Sequence, residues 1–191
     1  MKTHPKAEAE NVRWIQLGST GIFTAQGWND EDSEYDRANA RAVAEDELLA
    51  LLGKKACVLN LAGLYGGERQ PRNWVGRVAK SKEEVRAKGG VHLIHGGDVA
   101  RGVVLVHERW EGVAGRRWIV CDLRSYDWWE LVLSWGKDGG EGLQYEKWVV
   151  ELMREEGVRA LPRDVERLGR RLDGRGFWEA VGGWPERGRL S

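Results

Sequence analysis

Short apolar runs alternate with longer amphipathic stretches along this chain, and glycine or polar residues separate them. Three of the apolar runs are typical of buried strands, because they are short and contain β-branched and aromatic residues. The predicted strands are residues 12–17, which lead into Gly18, residues 56–61 and residues 116–125. Together they predict a small sheet.

The amphipathic stretches predict helices, and several of them carry terminal signals. Residues 37–52 are rich in helix-forming residues and precede Gly53, a typical C-terminal residue. Asp98 is predicted to cap a helix that carries valines at helical spacing. Further helices are predicted in residues 78–90, 125–136, 143–157 and 161–174, the last with Pro162 in its first turn, and a linker is predicted at residues 137–142.

The order of these elements is strand, helix, strand, a long connection, helix, strand, helix and helix. Alternation of this kind indicates an α/β fold with a parallel sheet. We therefore predict a parallel sheet of about three strands, flanking helices and a helical C-terminal segment. A chain of 191 residues is long enough for one domain, or one and a half, with a substantial core.

The composition is that of a globular protein and argues against several classes of partner. The 30 basic and 30 acidic residues give a net charge of zero, so no long-range field would attract nucleic acid or an anionic membrane. No apolar run approaches the roughly 18 residues that span a bilayer, and the first residues do not read as a signal peptide. Cys57 and Cys121 lie in apolar runs, which favours free thiols over a disulfide. We expect no nucleic acid or membrane partner and a cytoplasmic location.

The sequence GSTG after the first predicted strand raises the question of a phosphate-binding loop. A dinucleotide fingerprint needs a third glycine and a helix that begins inside the loop. Here Thr24 takes the place of the third glycine, and an acidic segment follows where the helix would begin. The sequence therefore disfavours a phosphate loop. Ser19 and Thr20 would instead lie at the carboxyl end of a strand, where their hydroxyls hold a substrate or simply bond the turn.

Two other groups of residues suggest ligand sites. His92 and His95 are three positions apart in a predicted extended segment, so their side chains would point to opposite faces and could not share a metal ion. No zinc-binding spacing is present, and no metal site is predicted. Arg69 and Arg72 follow the second predicted strand, and guanidinium groups suit phosphate or carboxylate. They are candidates for binding a small-molecule substrate, although exposed loop arginines are common.

Four stretches resemble, in this order, the C-terminal portion of the short-chain dehydrogenase/reductase superfamily, in its extended and atypical branches of nucleotide-sugar epimerases and their relatives. They lie between about residue 12 and residue 135 and read VRWIQLGSTGIF, RAVAEDELLAL, VLNLAGLYGGERQP and IHGGDVARGVVLV. The resemblance implies a partial NAD(P)-binding Rossmann-like domain at residues 1–136 and a helical extension at residues 137–191. It also implies NAD or NADP as cofactor and an epimerase or oxidoreductase activity.

The resemblance assigns roles to particular residues. Ser19 falls on the catalytic serine of the family, at the substrate carbonyl or hydroxyl, and Thr20 lies beside it. Gly63, Leu64 and Tyr65 fall in the loop that lies against the nicotinamide. These five residues are therefore the first candidates for the catalytic and cofactor-binding positions.

The sequence also departs from the family pattern. The catalytic tyrosine and lysine of the family fall on Arg37 and Arg41. An arginine does not give up its proton at neutral pH, so Arg37 cannot replace the tyrosine as general acid and base. Arg41 is kept as a candidate for cofactor binding, and Tyr35, two residues before Arg37, is the fallback catalytic candidate.

The first strands of the family and its glycine-rich cofactor loop would precede residue 12, where only 11 residues stand. By the resemblance, the chain is expected to be a half-molecule that lacks the adenine and pyrophosphate end of the site. The first strand would then expose an unpaired edge, which is an aggregation hazard. The N-terminal segment, a C-terminal helix or the second copy of a homodimer is expected to cover it.

The expected function is therefore that of an NAD(P)-dependent epimerase/reductase-like protein with weak or no catalysis. The glycine-rich loop and the tyrosine–lysine pair are the missing parts that limit catalysis. The alternative is a non-catalytic binding or dimerisation module derived from the same family.

Overall fold

A computed structural model of the chain describes residues 12–135, 142–187 and 190. Its strands are β1 (Trp14–Ser19), β2 (Gly27–Asn29), β3 (Ala56–Leu61), β4 (Gly63–Tyr65), β5 (Gly90–Val91), β6 (Leu93–His95), β7 (Arg117–Val120), β8 (Tyr126–Asp127) and β9 (Arg170–Leu172). Its α-helices are α1 (Ala40–Leu52), α2 (Val75–Val78), α3 (Lys82–Arg86), α4 (Gly96–Glu108), α5 (Trp110–Val113), α6 (Trp128–Trp135), α7 (Gly142–Glu155) and α8 (Arg175–Val181).

The central sheet is formed by the three strands that the apolar runs predict. β1, β3 and β7 are parallel, and β3 lies between the other two. Leu17, Leu59 and Trp118 lie side by side across the sheet. The α/β fold class with a parallel sheet of three strands is therefore confirmed.

Short strand pairs surround the central sheet. The pairs β2–β9 and β4–β6 are parallel, and the pair β5–β8 is antiparallel. Only a few residues form each pair, so the apolar patterning of the sequence did not predict them. The β2–β9 pair connects the segment after β1 to the C-terminal part of the chain, and the other two pairs connect segments between residues 63 and 127.

β1 is an edge strand of the central sheet, because β3 is its one neighbour among the described residues. Two of its large apolar side chains are exposed to solvent, Trp14 at 54% and Leu17 at 53%. The unpaired edge that the resemblance implies is therefore present in the described chain. What covers the edge stays a prediction.

The described residues form two apolar clusters. The first packs around the sheet and includes Trp118 from β7 and Phe177 and Trp178 from α8. The second lies where α6 packs against α7 and includes Trp129 and Leu152. Since α8 packs against β7, residues from the far end of the chain belong to the first core: Leu172, Phe177, Trp178 and Val181. The division of the chain at residue 136 stays a prediction.

The two cysteines are free and buried, as the sequence predicts. Burial raises the pKa of the Cys57 thiol and of the Cys121 thiol to about 12. Both thiols are therefore protonated at neutral pH and behave as small apolar side chains.

The helix predicted at residues 161–174 is wrong. A short 3-10 helix spans Val165–Leu168, and the chain then continues into β9. Gly169 separates the two elements with φ of +73°, a left-handed conformation that stops a helix. Pairing of β9 with β2 overrides the helical propensity of the segment.

The role predicted for Asp98 as a helix cap is also wrong. α4 begins two residues earlier, at Gly96, and the His95 side chain caps it by accepting a hydrogen bond from the Gly97 amide. Asp98 lies in the first turn and is buried, where it accepts hydrogen bonds from the amides of Glu186 and Arg187. It therefore fastens the C-terminal segment to α4.

The linker predicted at residues 137–142 lies outside the described residues, except that Gly142 begins α7. Within the described part of the chain, every helix is too short or too polar to cross a membrane.

Candidate functional site

Ser19 and Thr20 lie at the carboxyl end of β1, where the sequence places them. The Ser19 hydroxyl oxygen accepts a hydrogen bond from the Gly21 amide at 3.2 Å. The Thr20 hydroxyl is buried and donates to the Leu61 carbonyl at 3.3 Å. The Ser19 hydroxyl thus bonds the turn that leaves β1, and the Thr20 hydroxyl connects this turn to the end of β3. The Ser19 hydroxyl keeps its own proton for a further partner.

Gly18, the residue before Ser19, allows β1 to lie close to α1. A Cβ atom at this position would lie 2.3 Å from the Glu45 Oε1 atom and 2.5 Å from the Asn60 Nδ2 atom. Neither side chain can easily move away, because both are fully buried. The first glycine of the GSTG stretch is therefore needed for packing inside the protein.

Glu45 forms a buried polar cluster with Asn60 and Arg117 beneath this glycine. The Asn60 amide donates to Glu45 Oε1 at 2.8 Å, and the Arg117 Nε atom lies 3.7 Å from Glu45 Oε2. Burial raises the pKa of Glu45, and the Asn60 hydrogen bond and the Arg117 charge oppose this shift only in part.

Tyr35, the fallback catalytic candidate, is bound into the same cluster. Its hydroxyl donates to the Asp46 carboxylate at 2.8 Å, and its ring lies 3.8 Å from the Arg117 guanidinium carbon. Burial raises the pKa of Asp46, but the hydrogen bonds from Tyr35 and Arg117 outweigh burial and lower it overall. The Tyr35 hydroxyl is therefore directed to Asp46, not to Ser19.

The two arginines at the tyrosine and lysine positions lie on the surface. Arg37 is exposed, and its guanidinium carbon lies 5.1 Å from the centre of the Tyr35 ring. Arg41 is exposed in the first turn of α1, where its amide donates to the Asn39 cap. Neither side chain forms a hydrogen bond with Ser19.

Gly63, Leu64 and Tyr65 form β4. A Cβ atom on Gly63 would lie 2.7 Å from the Leu93 Cδ2 atom, so this glycine serves the close pairing with β6. The Tyr65 hydroxyl donates to the Arg187 carbonyl at 2.7 Å. Burial raises the pKa of Tyr65, and the nearby Asp122 raises it further. The polar atoms of this segment thus have partners within the protein.

Arg69 and Arg72, the predicted substrate-binding residues, lie in the loop after β4. Arg69 is exposed and pairs its main chain with Gly66 across a tight turn. Arg72 is exposed in a 3-10 helix that spans Pro71–Trp74. Neither arginine borders the basic cleft described below, and their role in substrate binding stays a prediction.

A basic cleft of about 390 Å³ lies next to the Ser19 turn, and the sequence analysis missed it. Arg170 connects the cleft to the Ser19 turn, since its NH1 group donates to the carbonyls of Thr20 at 2.7 Å and Phe23 at 3.0 Å. Burial lowers the pKa of Arg170. The cationic residues that line the cleft are Arg86, Lys88, Arg163, Arg167 and Arg170.

Carboxylates neutralise only part of this charge. Arg163 is paired with the buried Asp127 at 2.6 Å, Arg86 is paired with Glu155 and Glu156, and Arg167 is paired with Glu156. Lys88 and Arg170 have no carboxylate within ion-pair distance among the described residues. The cleft therefore has a net positive charge, which suits a phosphate or carboxylate. The signal was present in the arginines of residues 163–171, but the helix predicted at residues 161–174 gave no indication that they converge on a cleft.

Asp122 is a second functional candidate that the sequence analysis missed. It is the second residue after β7, at the same end of the sheet as Ser19, and is 2% exposed. Its carboxylate accepts hydrogen bonds from the Tyr126 hydroxyl at 2.6 Å and from the Arg124 amide at 3.2 Å. Burial raises the pKa of Asp122 to about 6, although these hydrogen bonds lower it in part. A carboxyl with such a pKa can exchange a proton near neutral pH.

The starts of the helices that follow strands in the described residues do not fit the pyrophosphate of NAD or NADP. Such a group needs free amides at the start of a helix that follows a strand. β6 and β8 lead directly into α4 and α6, β9 leads into α8 after two intervening residues, and an aspartate lies at each junction. At the starts of α6 and α8, this aspartate accepts a hydrogen bond from an amide of the first turn. These aspartates are Asp98, Asp127 and Asp173, and their negative charge opposes a phosphate.

No metal centre is found in the part of the chain that the structure describes, because no three histidine, cysteine, aspartate or glutamate side chains are grouped suitably there. His92 and His95 do not converge. The His92 Nε2 atom accepts a hydrogen bond from the Leu172 amide, and the His95 Nδ1 atom caps α4.

Solved structures with the same architecture show which fold this is. The chain has the fold of NAD-dependent epimerases and dehydratases. It is similar to UDP-glucuronic acid 4-epimerase from Bacillus cereus, solved with NAD, with a TM-score of 0.58 and 14% identity over 94% of this chain and 57% of that chain. It is similar to dTDP-glucose 4,6-dehydratase from Bacillus anthracis, also solved with NAD, with a TM-score of 0.57 and 11% identity over 94% of this chain and 58% of that chain.

A conserved protein of unknown function from Silicibacter pomeroyi is similar as well, with a TM-score of 0.61 and 18% identity over 96% of this chain and 65% of that chain. The chain thus spans less than two thirds of the length of these structures. No protein-family model matches the sequence. No curated protein matches it either.

Proposed function

We propose that this chain is an epimerase/reductase-like protein that binds a small anionic substrate and has weak or no catalytic turnover of its own. The arrangement around Ser19 carries the proposal. Ser19 lies at the carboxyl end of β1, as in the resemblance, but the tyrosine and lysine positions hold Arg37 and Arg41. No group that can exchange a proton forms a hydrogen bond with the Ser19 side chain among the described residues.

The state of Tyr35 supports weak or absent catalysis. Its hydroxyl donates to Asp46 and its ring packs against Arg117. A general acid and base must reach the atom whose proton it moves. The contacts of Tyr35 with Asp46 and Arg117 give this residue a role in stability and require no catalytic role.

The basic cleft supports binding of an anion. Arg170 contacts the main chain of the Ser19 turn and lines the cleft, so a bound anion would lie close to this turn. Lys88 and Arg170 lack a carboxylate partner in the described chain, and a phosphate or carboxylate would supply one. The substrate class we propose is therefore a small molecule with a phosphate or carboxylate group.

Calorimetric titration with inorganic pyrophosphate tests the binding part of this proposal. We expect saturable binding that weakens about tenfold in Arg170→Gln and in Lys88→Gln, because each removes one cationic contact. Arg175→Gln, an exposed arginine already paired with Asp173, is the matched control and should bind as the parent does. Equal binding by the parent and the two cleft variants would contradict the proposal.

A dimerisation module is the second candidate function, and the exposed edge of β1 favours it. Trp14 and Leu17 would be covered if a second copy paired its own β1 along this edge. Leu17→Lys should then lower the dimer fraction measured by sedimentation velocity. Leu51→Lys is the control, since Leu51 is 81% exposed on α1. A monomeric parent at high protein concentration would exclude this candidate.

A further inference from the structure

A second cavity, of about 450 Å³, lies beside β9 and has no part in the proposed function. We call it the Trp28 cavity. Its volume lies within the usual range for small-molecule sites. The residues that matter for its chemistry are Trp28, His92, Leu123, Arg124, Ser125 and Leu172.

Trp28 gives this cavity a flat aromatic wall. The side chain is 54% exposed, although tryptophan is usually more buried. The Arg171 guanidinium carbon lies 5.3 Å from the ring centre, and the His92 ring meets the indole edge to face at 6.4 Å. Since these contacts hold the indole in place, it can stack on a planar ligand with little loss of conformational entropy.

The polar groups at this cavity are not fully bonded. The His92 Nε2 atom accepts from the Leu172 amide at 3.0 Å, so the proton of the neutral ring is on Nδ1. That Nδ1 atom lies near the Arg124 main chain without a well-formed hydrogen bond, and the Ser125 hydroxyl has no hydrogen-bond partner within the described chain. Buried polar groups of this kind lower stability unless a partner satisfies them.

The charges around the cavity favour an anion. Arg175 is neutralised by Asp173 at 2.6 Å, and Arg171 is paired with Glu166. Arg124 is exposed and forms no ion pair among the described residues. The buried carboxyl of Asp122 interacts electrostatically with Arg124 without forming an ion pair. Arg124 thus remains available to a negatively charged ligand.

The backbone at the rim supports a binding role. Leu123 has φ of +60°, and it is the one non-glycine residue of the described chain in the left-handed region. Such a conformation is unfavourable for leucine and is found frequently at ligand sites. It leaves the Leu123 side chain 43% exposed at the cavity, where it adds apolar surface.

We propose that the Trp28 cavity binds a small planar aromatic anion, which stacks on the Trp28 indole and places its negative group at Arg124. The ring would also contact Leu123 and Leu172. The polar part of the ligand would complete the hydrogen bonding of Ser125 after a rotation of its hydroxyl. The site is separate from the basic cleft, and its occupancy does not depend on the proposed function.

The test is calorimetric titration of the full chain with three probes. Indole-3-acetate has the aromatic ring and the negative charge, tryptamine has the same ring with a positive charge, and cyclohexylacetate has the charge without the aromatic ring. We expect saturable binding of indole-3-acetate, and binding at least about tenfold weaker for each of the other two. No binding of indole-3-acetate, or equal binding of tryptamine, would overturn the proposal.

Two variants locate the site. Trp28→Leu and Arg124→Gln should each weaken indole-3-acetate binding about tenfold or more. The matched controls are Trp14→Leu, whose indole is also 54% exposed but lies on β1, and Arg77→Gln on α2, and both should bind as the parent does. Thermal unfolding of each variant establishes that it is folded. If Trp14→Leu weakens binding as much as Trp28→Leu, the ligand does not bind in this cavity.

Discussion

The hydroxyl of Tyr35 donates a hydrogen bond to the carboxylate of Asp46 at 2.8 Å. This bond fastens the loop before α1 to the helix itself, and Arg117 of β7 joins the same carboxylate at 2.6 Å. One carboxylate thus connects a loop, a helix and a strand. Tyr35 is the tyrosine closest to Arg37, on which the catalytic tyrosine falls by the resemblance. It therefore has a structural role in this chain.

Tyr35→Phe should lower the free energy of unfolding by about 1–2 kcal/mol, because it removes a hydrogen bond to a charged group. Chemical denaturation followed by tryptophan fluorescence measures this change. Tyr145→Phe is the control, since the Tyr145 hydroxyl makes no hydrogen bond within the described residues. An unchanged stability of Tyr35→Phe would show that the Asp46 contact contributes nothing.

Gly18→Ala should destabilise the chain by about 1–3 kcal/mol, because the added methyl group overlaps the buried Glu45 and Asn60 side chains. Gly21→Ala is the matched control from the same GSTG stretch. There the new Cβ would meet only the Ser19 Oγ atom, at 3.4 Å. The two variants should therefore differ clearly in denaturation midpoint, and equal midpoints would contradict the packing role of Gly18.

Arg170→Gln should destabilise the turn after β1 by about 1–3 kcal/mol, because the carbonyls of Thr20 and Phe23 lose a charged donor. Hydrogen exchange of the amides in residues 20–24 should become faster than in the parent. Arg175→Gln, with a side chain that is 73% exposed, should leave this exchange unchanged. Unchanged exchange in Arg170→Gln would remove the link between the cleft and the Ser19 turn.

Asp122 makes the stability of the chain depend on pH in a defined direction. Its pKa rises from 3.8 to about 6 on folding, so the folded state binds more protons between these values. The contribution of Asp122 is therefore most favourable below about pH 4 and is lost as the pH rises through 6. Asp122→Asn does not titrate, so its stability relative to the parent should increase from pH 4 to pH 7, by about 3 kcal/mol at most. A difference that does not change with pH would contradict the raised pKa.

The sequence predicted the elements whose signals are local. The apolar run of residues 56–61 forms β3 with the predicted bounds, and Gly53 ends α1 with φ of +51°. The position of Ser19 at the carboxyl end of β1 could be predicted because the apolar run before it indicates where the strand ends. Fold class and the position of the serine therefore followed from patterning and from the family resemblance.

The remaining features depend on contacts between distant residues. β9 has the sequence RRL, which carries no strand signal, and it forms because it pairs with β2, far away in the chain. Asp98 was predicted to cap a helix, but its partners are the amides of Glu186 and Arg187. The basic cleft combines residues 86–90 with residues 163–170, and no spacing in the sequence indicates that these segments meet.

Titration of the purified chain with NADH and NADPH, followed by tryptophan fluorescence and thermal shift, tests the central claim most directly. The claim is that the described part of the chain keeps the strand and turn that present Ser19 but lacks the groups for hydride transfer. It predicts no saturable binding in the micromolar range, no thermal shift and no oxidation of NADH with carbonyl substrates. Saturable micromolar binding of either cofactor, or oxidation of NADH, would contradict it.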